Sequence, residues 1–125
     1  MATVEPRKIC VRNSTRGTVV GDQVTIADTL LSRVVGLLGK TMLPQGAGLL
    51  IHPSQGVHTL GMKFPIDVIF LDRRLRVLEM RRALKPFRMT SLNFTAASVL
   101  ELPVNAIENS LTEVDDQLAI EDCHD

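Results

Sequence analysis

The chain has 125 residues with equal numbers of basic and acidic side chains, 14 of each, and 45% hydrophobic residues. That is the size and apolar content of one folded domain and excludes a wholly disordered chain. Trp and Tyr are absent and there are only four Phe, which predicts an aliphatic core and removes the stacking platforms of most single-stranded nucleic-acid binders.

In chain order, "KICVR" (residues 8–12) is β-prone and reads as a first strand. "TVVGDQVTIA" follows, with Gly21-Asp22 as the expected turn of a hairpin between Val19-Val20 and Val24-Ile26. Asp28 or Thr29 caps an expected main helix over about residues 28–39. Its apolar residues, among them Leu30, Leu31, Val34, Leu37 and Leu38, recur at helical spacing. "LPQGAG" is a loop and "LLIH" a short apolar strand ended by Pro53. "VHTLGM" and "IDVIFLD" read as strands joined through "KFP", and "DRRL" as a turn. "RVLEMRRAL" and "AASVLELP" are further strands, "NAIENSLT" a short helix and "DQLAIED" a last strand. Six to eight short strands without βαβ alternation predict an α+β fold. The expected architecture is β-rich, a mostly antiparallel sheet or small open barrel with the 28–39 helix packed on it, in a single domain over 1–125.

Charge is unevenly placed. Residues 63–88 hold eight basic and three acidic side chains, whereas from Glu101 onward there are eight acidic ones and no Lys or Arg. The expectation is that the acidic third packs beside the basic middle and neutralises it, which argues against nucleic acid as a partner. Cys10 and Cys123 form no CxxC pair and are expected as reduced thiols. No signal-peptide core and no membrane-length apolar run is present, so no membrane partner and a cytoplasmic location are expected.

The block "HTLGMKFPIDVIFLD" sets His58, Asp67 and Asp72 into apolar surroundings. An ionised group there is costly unless it is paired or hydrogen-bonded. Alternation places Asp67, Ile69 and Leu71 on one strand face and Ile66, Val68 and Phe70 on the other. Both faces are apolar, so the strand is expected to be covered on both sides. The structural reading makes Asp67 a brace that accepts backbone N–H bonds from the Phe64-Pro65 bend. The functional reading makes it a general base or ligand orienter, with His58 across the bend as its partner. His52, His58, Thr59, Met62 and Asp67 form the candidate ligand-binding set, and His58 and Asp67 the catalytic candidates. No metal-ligand motif is recognisable, no cofactor motif is present, and no GxSxG or P-loop marks an enzyme. The enzyme question stays open at this level.

The segments "GLLGKTMLPQGAGLLI", "HTLGMKFPIDVIFLD", "VLELP" and "DDQLAI" resemble the bacterial and archaeal DUF192 family, also called UPF0127, over about residues 27–121. Met62, Pro65, Asp67, Phe70 and Asp72 fall on its central block, and Ala97 with residues 99–103 on its later one. Val104-Asn105 and Val114-Asp115 depart from the family's usual "AG" and "GD", where different turns are expected. The resemblance implies a compact β-rich α+β domain and supplies no activity. Three readings follow. The leading one is a non-catalytic domain that binds a small ligand or a protein around residues 52–72. The alternative is a hydrolase or metal-assisted enzyme using His58 and Asp67. The third is an anion or nucleic-acid binder using the 73–88 basic segment.

Overall fold

The computed structural model describes residues 7–27, 42–56, 63–86 and 88–123. Among them seven strands form one sheet: β1 (Lys8–Asn13), β2 (Thr18–Ala27), β3 (Ala47–Ile51), β4 (Ile66–Leu71), β5 (Val77–Leu84), β6 (Ser98–Pro103) and β7 (Leu118–Asp122), with a short helix α1 (Ala106–Asn109). The strand order is β5-β4-β6-β3-β2-β1-β7. Pairing is antiparallel except between β2 and β3, which are parallel and joined through residues 28–46. The expected 28–39 helix and the "VHTLGM" strand lie outside the described residues.

The sheet curls into a half-barrel whose edge strands approach each other at one end. Arg76, just before β5, bridges to Gln117, just before β7. Val77 N–H donates to the Asp116 carbonyl at 2.9 Å, and Leu118 N–H to the Leu75 carbonyl at 3.0 Å. One face of the sheet holds an aliphatic cluster that includes Ile9, Val11, Val24, Leu50, Ile69, Leu71, Leu100, Leu102, Ile107 and Leu118. The other holds Leu49, Ile51, Ile66, Val68, Phe70 and Val99. All six residues of β4 are buried, and its side chains alternate between the two clusters as the period-two pattern predicts.

The hairpin sits elsewhere than expected. β2 runs unbroken through Gly21-Asp22, and the reversal is made by residues 14–17, closed by Gly17 N–H to the Asn13 carbonyl at 2.9 Å. Gly17 adopts φ 70°, which glycine reaches without a Cβ clash. Gly21-Asp22 lies instead at a bulge, where the β1–β2 register shifts between Ile9 and Val11. At Asn105 the chain takes φ 79°, so the asparagine keeps the left-handed backbone a glycine would take.

Asp67 is 1% exposed. Its carboxylate accepts Ala83 N–H at 2.9 Å and Ile107 N–H at 3.1 Å. The brace is therefore real, but its donors come from β5 and α1 and not from the Phe64-Pro65 bend. Ala83 lies in a second bulge, where Asp67 has no one-to-one partner between the pairs Ile66–Leu84 and Val68–Arg81. Asn105, the residue that caps α1, makes no side-chain cap bond, and Asp67 supplies the missing acceptor from a neighbouring strand. Asp67→Ala leaves two buried donors unpaired and should cost about 2–4 kcal/mol. Asp67→Asn should cost less, because its amide oxygen still accepts one bond. Urea melts of the three proteins check this, and an Ala variant as stable as the wild type would remove the brace.

Candidate functional site

The C-terminal ends of β3 and β4 and the N-terminal end of β6 meet on one side of the sheet. There an open cleft of about 670 Å³ is lined by residues 52–55, Arg73 and residues 94–97. Ala97 organises it. Its N–H donates to the Leu71 carbonyl at 2.8 Å, and its own carbonyl accepts Ser54 N–H at 3.0 Å. The same carbonyl lies 3.1 Å from His52 Nδ1. A carbonyl only accepts, so Nδ1 carries the proton and neutral His52 keeps Nε2 as its acceptor. The 54–56 and 90–94 segments are hooked together by Asn93 N–H to the Gln55 carbonyl at 2.8 Å and Gln55 Nε2 to the Phe94 carbonyl at 3.2 Å.

Asp72, the second carboxylate of the motif, shapes the other wall. One of its oxygens accepts Arg74 N–H at 2.8 Å and Arg76 N–H at 2.9 Å. This Asx-type turn presents Arg73 to the cleft. Arg73 makes no ion pair among the described residues. Phe94 is 76% exposed beside it.

Of the expected set, His58, Thr59 and Met62 lie outside the described residues, and so does any His58–Asp67 pair. His52 and Asp67 are not brought together. Ile51, just before His52, is level with Val99, whereas Asp67 is level with Leu102. The offset from His52 is on the order of 13 Å along the strands. Among the described residues no cluster of three or more His, Cys, Asp or Glu is placed to hold a metal, and no helix is long and apolar enough to cross a membrane.

The charge expectation is corrected. The C-terminal acids pair with the N-terminal arginines: Arg7 with Asp122 at 2.7 Å, Arg12 with Glu121 at 3.8 Å, and Arg16 with Glu113 at 2.6 Å and Asp116 at 3.0 Å. The reason is strand order, because β7 lies against β1 along its length and meets β5 only at one end. In the basic segment Arg81 pairs with Glu79 of its own strand, while the side chains of Arg73, Arg74 and Arg76 have no such partner among the described residues.

Glu101 was not among the expected site residues. It stands in β6 between Leu49 and Val68 of the neighbouring strands and is 5% exposed, and its carboxyl forms no hydrogen bond or ion pair among the described residues. Burial lifts its carboxyl to about 7. The signal was a lone acid inside the apolar run "VLELP". Because the folded state holds this proton more tightly than the unfolded chain, stability is fully present below the ordinary glutamate range and is lost as pH rises through about 7. Glu101→Gln should abolish that decline and be more stable than wild type by roughly 3 kcal/mol at about pH 8. Melts across pH check this, and parallel curves for the two proteins would contradict it.

A family model described as "Uncharacterized ACR", DUF192, matches residues 11–120. The chain belongs to the DUF192 family. The match begins at β1, earlier than the motifs alone indicate. A UPF0127 protein of Thermococcus sibiricus is 34% identical over 85% of this chain and 71% of its own length. One from Pyrococcus furiosus is 32% identical over 85% and 93%. Among solved structures, a candidate transcription regulator from Sinorhizobium meliloti aligns with TM-score 0.78 at 15% identity, covering 96% of this chain and 97% of that one. A protein of unknown function from Novosphingobium aromaticivorans aligns with TM-score 0.75 at 18% identity, covering 90% and 83%. These two likenesses show the fold alone.

Proposed function

We propose that this DUF192 domain is a non-catalytic binding module whose ligand is a small anion bearing an apolar group, held in the cleft beside His52. The observation that carries this reading is Arg73, a cleft-lining guanidinium with no ion pair among the described residues. A guanidinium offers donors in a planar fork that matches carboxylate and phosphate oxygens. Phe94 adds an apolar wall beside it. This keeps the binding role expected around residues 52–72 but moves its centre to the His52 end.

The hydrolase reading loses support, because both Asp67 oxygens already accept backbone N–H groups in a buried site. Arg74 and Arg76 extend the positive field around Arg73 and favour an anion over a neutral ligand. DNA is not carried over from the Sinorhizobium protein, since at 15% identity the likeness concerns the fold.

Calorimetric titration with inorganic phosphate and with phenyl phosphate tests the reading. Phenyl phosphate should bind the more tightly, and Arg73→Ala should weaken it about 10-fold or more. An affinity unchanged in Arg73→Ala would overturn the assignment. Duplex DNA bound more tightly than either probe, with an affinity falling steeply with salt, would move it to nucleic acid.

A further inference from the structure

Two thiols 113 positions apart in the sequence meet in the fold. Cys10 lies in β1 and Cys123 directly follows β7. The ladder pairs Cys10 with Glu121 and Ile9 with Asp122, the last residue of β7, and Cys123 is the next residue beyond that end. On the face of Cys10, Arg12 of β1 and Glu121 of β7 approach to 3.8 Å, so side chains at this end of β7 lean over β1. Cys123 reaches further still. Its Sγ donates to the Asp22 carbonyl at 3.2 Å. Asp22 belongs to β2, on the far side of β1, and the bulge there sets residues 22 and 23 against Cys10. The Cys123 thiol thus crosses over β1 at Cys10. Both cysteines are free and partly exposed.

We propose that Cys10 and Cys123 are an intramolecular redox pair that closes to a disulfide by exchange with a small-molecule disulfide such as oxidised glutathione, clamping the end of β7 over β1. The Cys123 thiolate attacks one sulfur of the reagent and releases the first glutathione thiolate. The Cys10 thiolate then attacks Cys123 Sγ and expels the second. Two protein thiols are oxidised, one reagent disulfide is reduced to two thiols, and the released thiolates take up the two protons. Burial, followed by the charge of Glu121, raises the Cys10 thiol above its ordinary range. A less ionised Cys10 slows whichever step its thiolate makes. Closing the bridge takes a displacement of Cys123, the residue just beyond β7, from the Asp22 carbonyl onto Cys10 Sγ.

The test is incubation of the dilute full chain with oxidised glutathione, followed by thiol counting, mass spectrometry without reduction, and a peptide map. Both thiols should disappear together, the mass should fall by two hydrogens, and one peptide pair should join Cys10 to Cys123. The melting temperature should rise by roughly 10 °C, because the cross-link closes a long loop in the unfolded chain. Cys10→Ser should stop at a mixed disulfide on Cys123, and Cys123→Ser should stop at one on Cys10. A wild-type protein that ends as two separate glutathione adducts, or as disulfide-linked dimers, would overturn the proposal.

Discussion

A carboxylate placed 1% exposed on the strand face it shares with Ile69 and Leu71 of an aliphatic cluster must find donors or unfold its surroundings. Asp67 finds two, and they come from parts of the chain that have no other reason to stop where they do. One is the N–H of Ala83, in a non-glycine residue at φ 49°, a conformation costing about 1–2 kcal/mol on its own. The other is the N–H of Ile107, at the start of a helix whose own capping residue makes no side-chain bond. The carboxylate thereby sets the bend of β5 and the seat of α1 together. The chain that leaves α1 then returns as residues 110–117 to meet the beginning of β5.

That return is secured by a second carboxylate. Asp116 is 3% exposed and is bonded by Arg16 Nε at 3.0 Å, Asn13 Nδ2 at 2.9 Å and Glu113 N–H at 2.9 Å. The Arg16 hydrogen bond leads in holding its carboxyl down to about 2. Its contribution to stability is present above the ordinary aspartate range and is lost as pH falls toward 2. The two titrations oppose each other: Asp116 weakens the fold as pH falls toward 2, and Glu101 weakens it as pH rises from the ordinary glutamate range to about 7. The same arrangement decides where free positive charge remains. With C-terminal acids engaged by Arg7, Arg12 and Arg16, Arg73 of the β4–β5 turn lines the cleft without an ion pair among the described residues.

The strands were legible because their signals are local. The apolar run from Ile66 to Leu71 carries its two-sided burial on its face, and Asp72 followed by "RRL" reads as a turn. What was not legible depends on partners distant in sequence. Gly21-Asp22 looks like a hairpin turn, yet whether such a pair turns the chain or bulges it depends on the strand opposite. Asp67 was readable as a brace, but its donors lie 16 and 40 residues away and nothing local names them. The acidic third was assigned to the wrong cations because neutralisation follows strand order, which composition does not encode. Glu101 carried a usable signal, an acid between leucines in an apolar strand. The cysteines carried none, since their meeting depends on β1 and β7 being neighbours.

The account turns on Asp67 holding the Ala83 and Ile107 amides, and residue-resolved amide hydrogen exchange tests this directly. In the wild type both amides should be protected to nearly the level of the β4 and β6 amides around them. In Asp67→Ala, which removes both acceptors, their protection should fall about 10–100-fold beyond any change in global stability. Ala83 and Ile107 amides that exchange freely in the wild type, or that keep their protection in the variant, would contradict it.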